Sequence, residues 1–208
     1  MTALRLLLVR HGQTSYNENQ RWHDHSDIAL TSLGVSQAHA TAAALRNERP
    51  VAIYASPLRR SIQTADLLAS AHDLKAIEKA GLSEIDAGEL GGLTYEEITK
   101  KFPDFFRSWE TDPVHTTPPA GETMASLQSR CWSAVNEIIK SHTDATVIVV
   151  SHSFSIASII CKAIKLPLSS FRSLRIDLGS ISELSIYDEI AILSRLNDTN
   201  HLNGLKAK

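Results

Sequence analysis

Cysteine is scarce in this chain of 208 residues: there are two, Cys131 and Cys161, and no C-x-x-C pair. Neither therefore shows the spacing of a redox or metal-binding pair. Both cysteines fall on apolar stretches and read as buried structural thiols in a reducing, cytoplasmic setting. A charge excess is lacking too. The formal net charge is −2, so neither nucleic acid nor an anionic membrane is expected as a partner. No apolar run is long enough to cross a bilayer, and the one near the start is too short for a secretory signal. There is no G-x-S-x-G elbow and no Walker loop, which sets aside serine hydrolysis and P-loop chemistry. Asn197-Asp198-Thr199 matches a glycosylation sequon and, without a secretion signal, reads as chance.

What is present is a hydrophobic share of 43%, enough for the core of one domain over residues 1–208. Leu6–Val9 is an apolar run without alternation, the pattern of a strand buried on both faces. Thr31 can cap a helix toward Arg49, with Val35, Ala38, Ala42 and Leu45 inward, and Pro50 breaks it. Val51–Ala55 reads as a strand, the segment after Leu58 as a helix with Ile62, Ala65 and Leu68 inward, and Lys75–Glu78 as a weak strand. Residues 81–92 read as a loop, and Thr94 through Glu97 as a capping box opening a short helix that ends at Phe102-Pro103. Asp104 to Gly121 reads as a lid, making a cap of about 94–122. Thr123 starts a long helix, Thr146–Val150 a buried strand, and Ile156, Ile159 and Ile160 mark a helix closed by Pro167. Ser180–Tyr187 and Ile190–Leu196 suggest an edge hairpin, followed by a frayed tail, Asn197 to Lys208. Alternation of strands and helices predicts a mostly parallel sheet.

Two strands far apart in sequence end in histidine: Val9-Arg10-His11 and Val150-Ser151-His152. Ligands of open α/β sheets bind beyond the carboxyl ends of strands, so adjacency of these two would bring His11 and His152 together. An imidazole can carry a covalent phosphoryl group, and a guanidinium fork matches phosphate oxygens. Arg59 and Arg60 open the helix beyond a third strand, and the 81–92 loop offers Glu84, Asp86 and Glu89. Gly12 allows a sharp turn or close approach to a ligand.

In this order and spacing the motifs LVRHGQT (from Leu8) with Asn17, Leu30-Thr31 with Gly34, SPLRRSIQTA (from Ser56), LSEIDAGELGG (from Leu82), GET (from Gly121) and VVSHS (from Val149) resemble the histidine phosphatase superfamily, in its phosphoglycerate-mutase-like branch. The likeness runs to about Tyr187. It implies a three-layer α/β/α fold with a mostly parallel central sheet and a small helical cap. It implies His11 as nucleophile, Arg10, Arg60, His152 and Asn17 as holders of the phosphoryl oxygens, and Glu84 as acid and then base, ahead of Glu89 and Asp86. Arg60 rather than Arg59 matches the clamp position. Two arginines and a protonated His152 would supply the charge that metals supply elsewhere, so neither metal nor other cofactor is expected. Because a general acid must begin the cycle protonated, activity is expected at or below neutral pH.

The chain departs from the family pattern in two places. Ser153-Phe154 follows His152 where glycine and a small residue are usual, which leaves the Ser153 N–H for phosphate and adds bulk beside it. Trp22-His23-Asp24-His25 replaces the usual Gln-Gly element, and this H-D-H loop reads as solvated rather than as a metal site. His115, His142 and His201 read as surface residues. The implied substrate is a small-molecule phosphate ester, hydrolysed without metal. Phosphoglycerate mutase is the alternative, disfavoured because such mutases are usually longer in the cap, which here is apolar. A phospho-ligand-binding protein without catalysis is third. Monomer and homodimer both stay open.

Overall fold

A computed structural model describes residues 4–187 and 190–205. Its centre is a six-stranded sheet in the order β3-β2-β4-β1-β5-β6, formed by β1 (Leu4–Arg10), β2 (Pro50–Ala55), β3 (Ala76–Glu78), β4 (Thr146–Ser151), β5 (Ile181–Tyr187) and β6 (Ile190–Asp198). The first four are parallel, and β5 and β6 join antiparallel on the far side of β1. β1 is buried on both faces, as the unbroken apolar run predicts. Leu4, Leu6 and Leu8 belong to one core and Leu7 and Val9 to the other.

Helices α2 (Ser32–Leu45) and α3 (Arg59–Ser70) supply the second core. The long α6 (Met124–Ser141) and α7 (Ser153–Ala163) cover the first. The result is the three-layer α/β/α sandwich. Thr31 caps α2 through Gly34 N, but the helix stops at Leu45, short of Arg49, and Pro50 already belongs to β2. Val35 is exposed, because the inward face of α2 is Gly34, Gln37, Ala38, Thr41, Ala42 and Leu45. Ile62 is only partly buried against its core. The loop after β1 contains a single helical turn, α1 (Ser15–Glu18), closed by a Thr14–Asn17 capping box.

The cap segment is more regular than expected. After α4 (Tyr95–Lys101), Pro103 does not merely stop a helix but opens α5 (Pro103–Thr111), where a missing N–H costs nothing. Phe105 and Trp109 of α5 are buried. The tail also differs from expectation. β6 runs on to Asp198, and Leu202 is buried. The last part of that tail, 206–208, lies outside the described residues. Cys131 and Cys161 are free and buried. No helix is long and apolar enough to cross a membrane among the described residues.

Candidate active site

β1 and β4 are neighbours, with Arg10 opposite Ser151 in register. The next residue on each strand is a histidine, and the rings of His11 and His152 lie 5.0 Å apart. His11 Nδ1–H donates to Gly12 O at 2.7 Å, which leaves Nε2 as the free lone pair. Gly12 approaches not a ligand but α2: a Cβ there would stand 2.3 Å from Gly34 O. The glycine pair thus seats the histidine turn against the α2 N-terminus.

A cavity of about 220 Å³ opens over this point, lined in part by Arg10, His11, Asn17, Glu84 and Ser153. Arg60 and His152 are fully buried. Arg59 is exposed and pairs with Asp27, so helical phase selects Arg60. Arg60 reaches Asp24 O at 3.0 Å and Ser26 O at 3.4 Å. Arg10 reaches Ile176 O at 2.7 Å. Yet the Nε atoms of both arginines, and His152 Nδ1, are buried without a hydrogen-bond partner. Buried polar atoms are rarely left so; His72 Nε2 and Ser180 Oγ share this state, and three of these five among the described residues fall on residues that neighbour His11. A larger hollow of about 680 Å³ beside α6 is lined by serines and an already paired Lys79–Glu137, and none of these orphaned atoms lies there.

Glu84 is buried and accepts from Ile85 N at 2.9 Å and from Phe154 N, Ser155 N, Ser155 Oγ and Ser153 Oγ at 3.3 Å each. It therefore sits on the N-terminus of α7, where N–H groups lack helical partners. Its rivals are elsewhere: Glu89 is exposed and Asp86 accepts from Gly88 N. Ser153 holds this carboxylate through its hydroxyl rather than standing only as a backbone donor. Asn17 accepts from Thr14 N and Thr14 Oγ1 at Oδ1, leaving Nδ2 as its donor group.

Electrostatics overturns one expectation. His152 is not held protonated. Burial, then the charge of Arg60, then His11, His23 and Arg10 keep it well below the ordinary histidine range. Ser56 Oγ accepts from Leu58 N and lies 2.8 Å from His152 Nε2. In the tautomer in which Ser56 O–H donates to Nε2, the orphaned Nδ1 carries the ring hydrogen. In that tautomer Nδ1 offers an N–H donor, and burial and the neighbouring charges disfavour the expected imidazolium. His11 is likewise pushed well down, by burial first and then by Arg60, Arg10 and His23. Burial lowers Arg10, and it brings Arg60 down to about 10.

The 22–25 loop is not solvated as expected. Trp22 and His23 line the cavity, and the His23 ring lies 5.7 Å from that of His11. Only His25 is exposed, with Nε2 donating to Glu84 O at 2.8 Å. No cluster able to hold a metal occurs among the described residues. His115 is exposed, but His142 is half-buried beside Tyr54 Oη. His201 donates to Gly179 O at 3.0 Å from a half-buried position rather than lying on the surface, because the tail folds back. Phe154 does add bulk: it lines the cavity and meets Trp22, Trp109 and Phe171 in an aromatic cluster under α5.

Sequence reasoning missed Ser56 and the pair Glu122–Arg130. Arg130 donates to Gly81 O, Ser83 O and Glu84 O at 3.1, 2.7 and 2.7 Å, and Glu122 holds both the guanidinium and Asp86 N. The pair braces the loop that carries Glu84. The G-E-T motif marked the glutamate, but nothing local to it revealed this task.

Comparison with known proteins gives a consistent picture. The sequence profile of the histidine phosphatase superfamily, branch 1, matches residues 6–199. Phosphoserine phosphatase 1 of Hydrogenobacter thermophilus is 34% identical over 199 residues, 96% of this chain and 94% of that protein. A mycobacterial glucosyl-3-phosphoglycerate phosphatase, solved in complex with VO3, superposes with a TM-score of 0.87 at 30% identity, covering 94% of this chain and 99% of that one. The alpha-ribazole phosphatase of Shigella flexneri gives 0.87 at 26% identity, covering 93% and 96%.

Proposed function

The chain belongs to the histidine phosphatase superfamily, branch 1, and on that footing we propose that it hydrolyses small phosphomonoesters through a phosphohistidine on His11. The observation that carries this reading is the set of orphaned buried atoms, Arg10 Nε, Arg60 Nε and His152 Nδ1, on residues that neighbour His11 through charge or ring contact. Such donors suit an anion, and a tetrahedral phosphoryl group supplies the oxygens.

In the first half-reaction His11 Nε2 attacks phosphorus in line with the ester oxygen. Arg10, Arg60, His152 Nδ1–H and Asn17 Nδ2 stabilise charge on the equatorial oxygens. Glu84 delivers its proton to the departing alcohol. In the second, Glu84 takes a proton from water as the water oxygen attacks phosphorus, and inorganic phosphate and free His11 are regenerated. No step draws on a metal. Burial serves the nucleophile, since a histidine kept well below its ordinary range stays a free base in mildly acidic solution.

The unit is residues 1–208 with 94–122 as its cap. Relatives named for phosphoserine, glucosyl-3-phosphoglycerate and alpha-ribazole phosphate share this frame, so the cavity wall around the phosphoryl site selects the ester, and the cap bears on it through Trp109 packed against Trp22 and Phe154. Hydrolysis is favoured over mutase chemistry by what the cavity wall offers. Trp22 and Phe154 form an aromatic wall, and Arg21, the cavity's second cation, is already held by Gly92 O and Glu97. A second phosphate would find no free guanidinium there.

The test is a burst of labelled phosphoenzyme from an aryl phosphate, quenched in alkali, compared between wild type and His11→Ala. Label and steady phosphate release in the wild type alone is the expected result. Absence of label in a turning-over wild type, or rapid isomerisation of 3-phosphoglycerate with slow phosphate release, overturns the reading.

A further inference from the structure

His23 has no part in the mechanism above, yet it lines the same cavity. Its Nε2 lies 2.7 Å from Thr14 Oγ1. That hydroxyl donates to Asn17 Oδ1 at 2.9 Å, so it receives the Nε2–H of His23. The relay gives the ring a defined tautomer: the hydrogen is on Nε2, and Nδ1 carries a lone pair. Nδ1 has no hydrogen-bond partner among the described residues, while the ring borders the space in front of His11. The relay also holds Asn17 with its Nδ2 donor free.

Resting on the phosphatase reading, we propose that His23 is a third histidine of the phosphoryl site, meeting a phosphoryl oxygen through Nδ1 with one proton taken up between them. An unprotonated Nδ1 facing an anionic oxygen is repulsive, and a proton on that line turns the contact into a charge-assisted hydrogen bond.

The surroundings explain why the proton arrives with the anion. Around the ring stand Arg10 and His11 from the end of β1, Tyr16 from α1, Arg60 from α3, His152 before α7 and Glu84 from its loop. Burial and then Arg60 and Arg10 push His23 down to about 3. A dianion set among these cations reverses the sign of the local field and favours the charged ring.

Sulfate is the discriminating probe, because it remains a dianion near neutral pH and cannot itself bring the proton. Calorimetric titration in buffers of differing ionisation enthalpy counts protons taken up per sulfate bound. His23→Gln keeps an N–H for Thr14 and does not titrate; His23→Asn is the second variant, and unfolding midpoints confirm that each is folded. Expected is an uptake at pH 7 that falls by about one proton in both variants. The pH dependence of log Kd likewise loses about one unit of slope, so each pH unit costs the variants about tenfold less affinity than the wild type.

Equal uptake in wild type and folded variants overturns the proposal, as does failure of sulfate to bind a wild type that hydrolyses aryl phosphate. The two readings fail separately. Sulfate bound with a His23-dependent proton but no hydrolysis keeps the third histidine and sinks the phosphatase. Hydrolysis without that proton does the reverse.

Discussion

Arg5 and Arg10 stand near opposite ends of the same strand, β1, in opposite circumstances. Arg5 donates to Glu48 at 2.9 Å and to Glu183 at 3.1 Å, and Glu183 in turn binds Arg195 at 2.8 Å. These hydrogen bonds raise Arg5 and Arg195 and lower Glu183 despite its burial, so each charge steadies the next. At the other end, Arg10 and Arg60 are lowered by burial, His11, His23 and His152 are lowered with them, and two guanidinium Nε atoms go unpartnered. One end of the sheet closes its charges into ion pairs, while at the other neither Arg10 nor Arg60 forms one among the described residues and Glu84 acts on both only through its charge. A pocket that stabilises a transition state is by the same measure uncomfortable without one.

The contrast is broken most sharply at Arg60. Arg60→Met is expected to lower kcat/KM by about 10²–10³-fold, as loss of a preorganised donor does. Its unfolding midpoint should stay within a few degrees of wild type, since a buried and under-satisfied cation is replaced by an apolar chain of similar length. A large fall in midpoint would show that the guanidinium is structural.

The next effect is on stability and has a definite sign. For His11, His23 and His152 the folded state holds the neutral form and the unfolded chain titrates near the ordinary value. Their contribution is whole above about pH 6.5 and is lost as pH falls below it. Each adds a slope of about 1.4 kcal/mol per pH unit below that point. Urea unfolding at pH 7.5 and 5.5 measures the sum, and a stability that rises on acidification contradicts it.

Smaller again is the effect at the brace of the acid loop. Glu122→Gln should reduce kcat about tenfold with little change in KM, because Glu84 is displaced rather than removed. Parallel losses in Arg130→Lys would place both on one path. The smallest expected effect is at the self-paired end: Arg195→Met should leave kcat/KM within about twofold while lowering stability on the order of 0.5–1 kcal/mol, less at high salt.

How much of this was legible beforehand follows from how local each cause is. The β1 strand, the Thr94–Glu97 capping box and the strand-end histidines depend on neighbours a few residues away, and each could be read, whereas Arg60 was preferred to Arg59 through the family resemblance and the Thr14–Asn17 box inside the polar loop was missed. His23 was expected in solvent, because a polar loop gives no sign that it will be turned inward. The turn is made by partners from elsewhere: Arg60 takes Asp24 O, and the carboxylate of Asp24 lies where a Cβ of Gly91 would stand. The charge on His152 was misjudged for a related reason. The motif names an imidazole, while its protonation depends on burial and on four neighbours drawn from other segments.

By itself the order of residues determined which segments become strands and helices, and which basic side chains stand at strand ends. The tertiary structure alone decided that β4 lies beside β1 so that His11 and His152 meet, that Glu84 rests on the α7 N-terminus, and that five basic groups, Arg10, His11, His23, Arg60 and His152, are buried or half-buried together. The physical reason is range. Backbone preference and apolar periodicity act over a few residues, whereas desolvation and Coulomb forces depend on distance through space, which exists only once the sheet has closed.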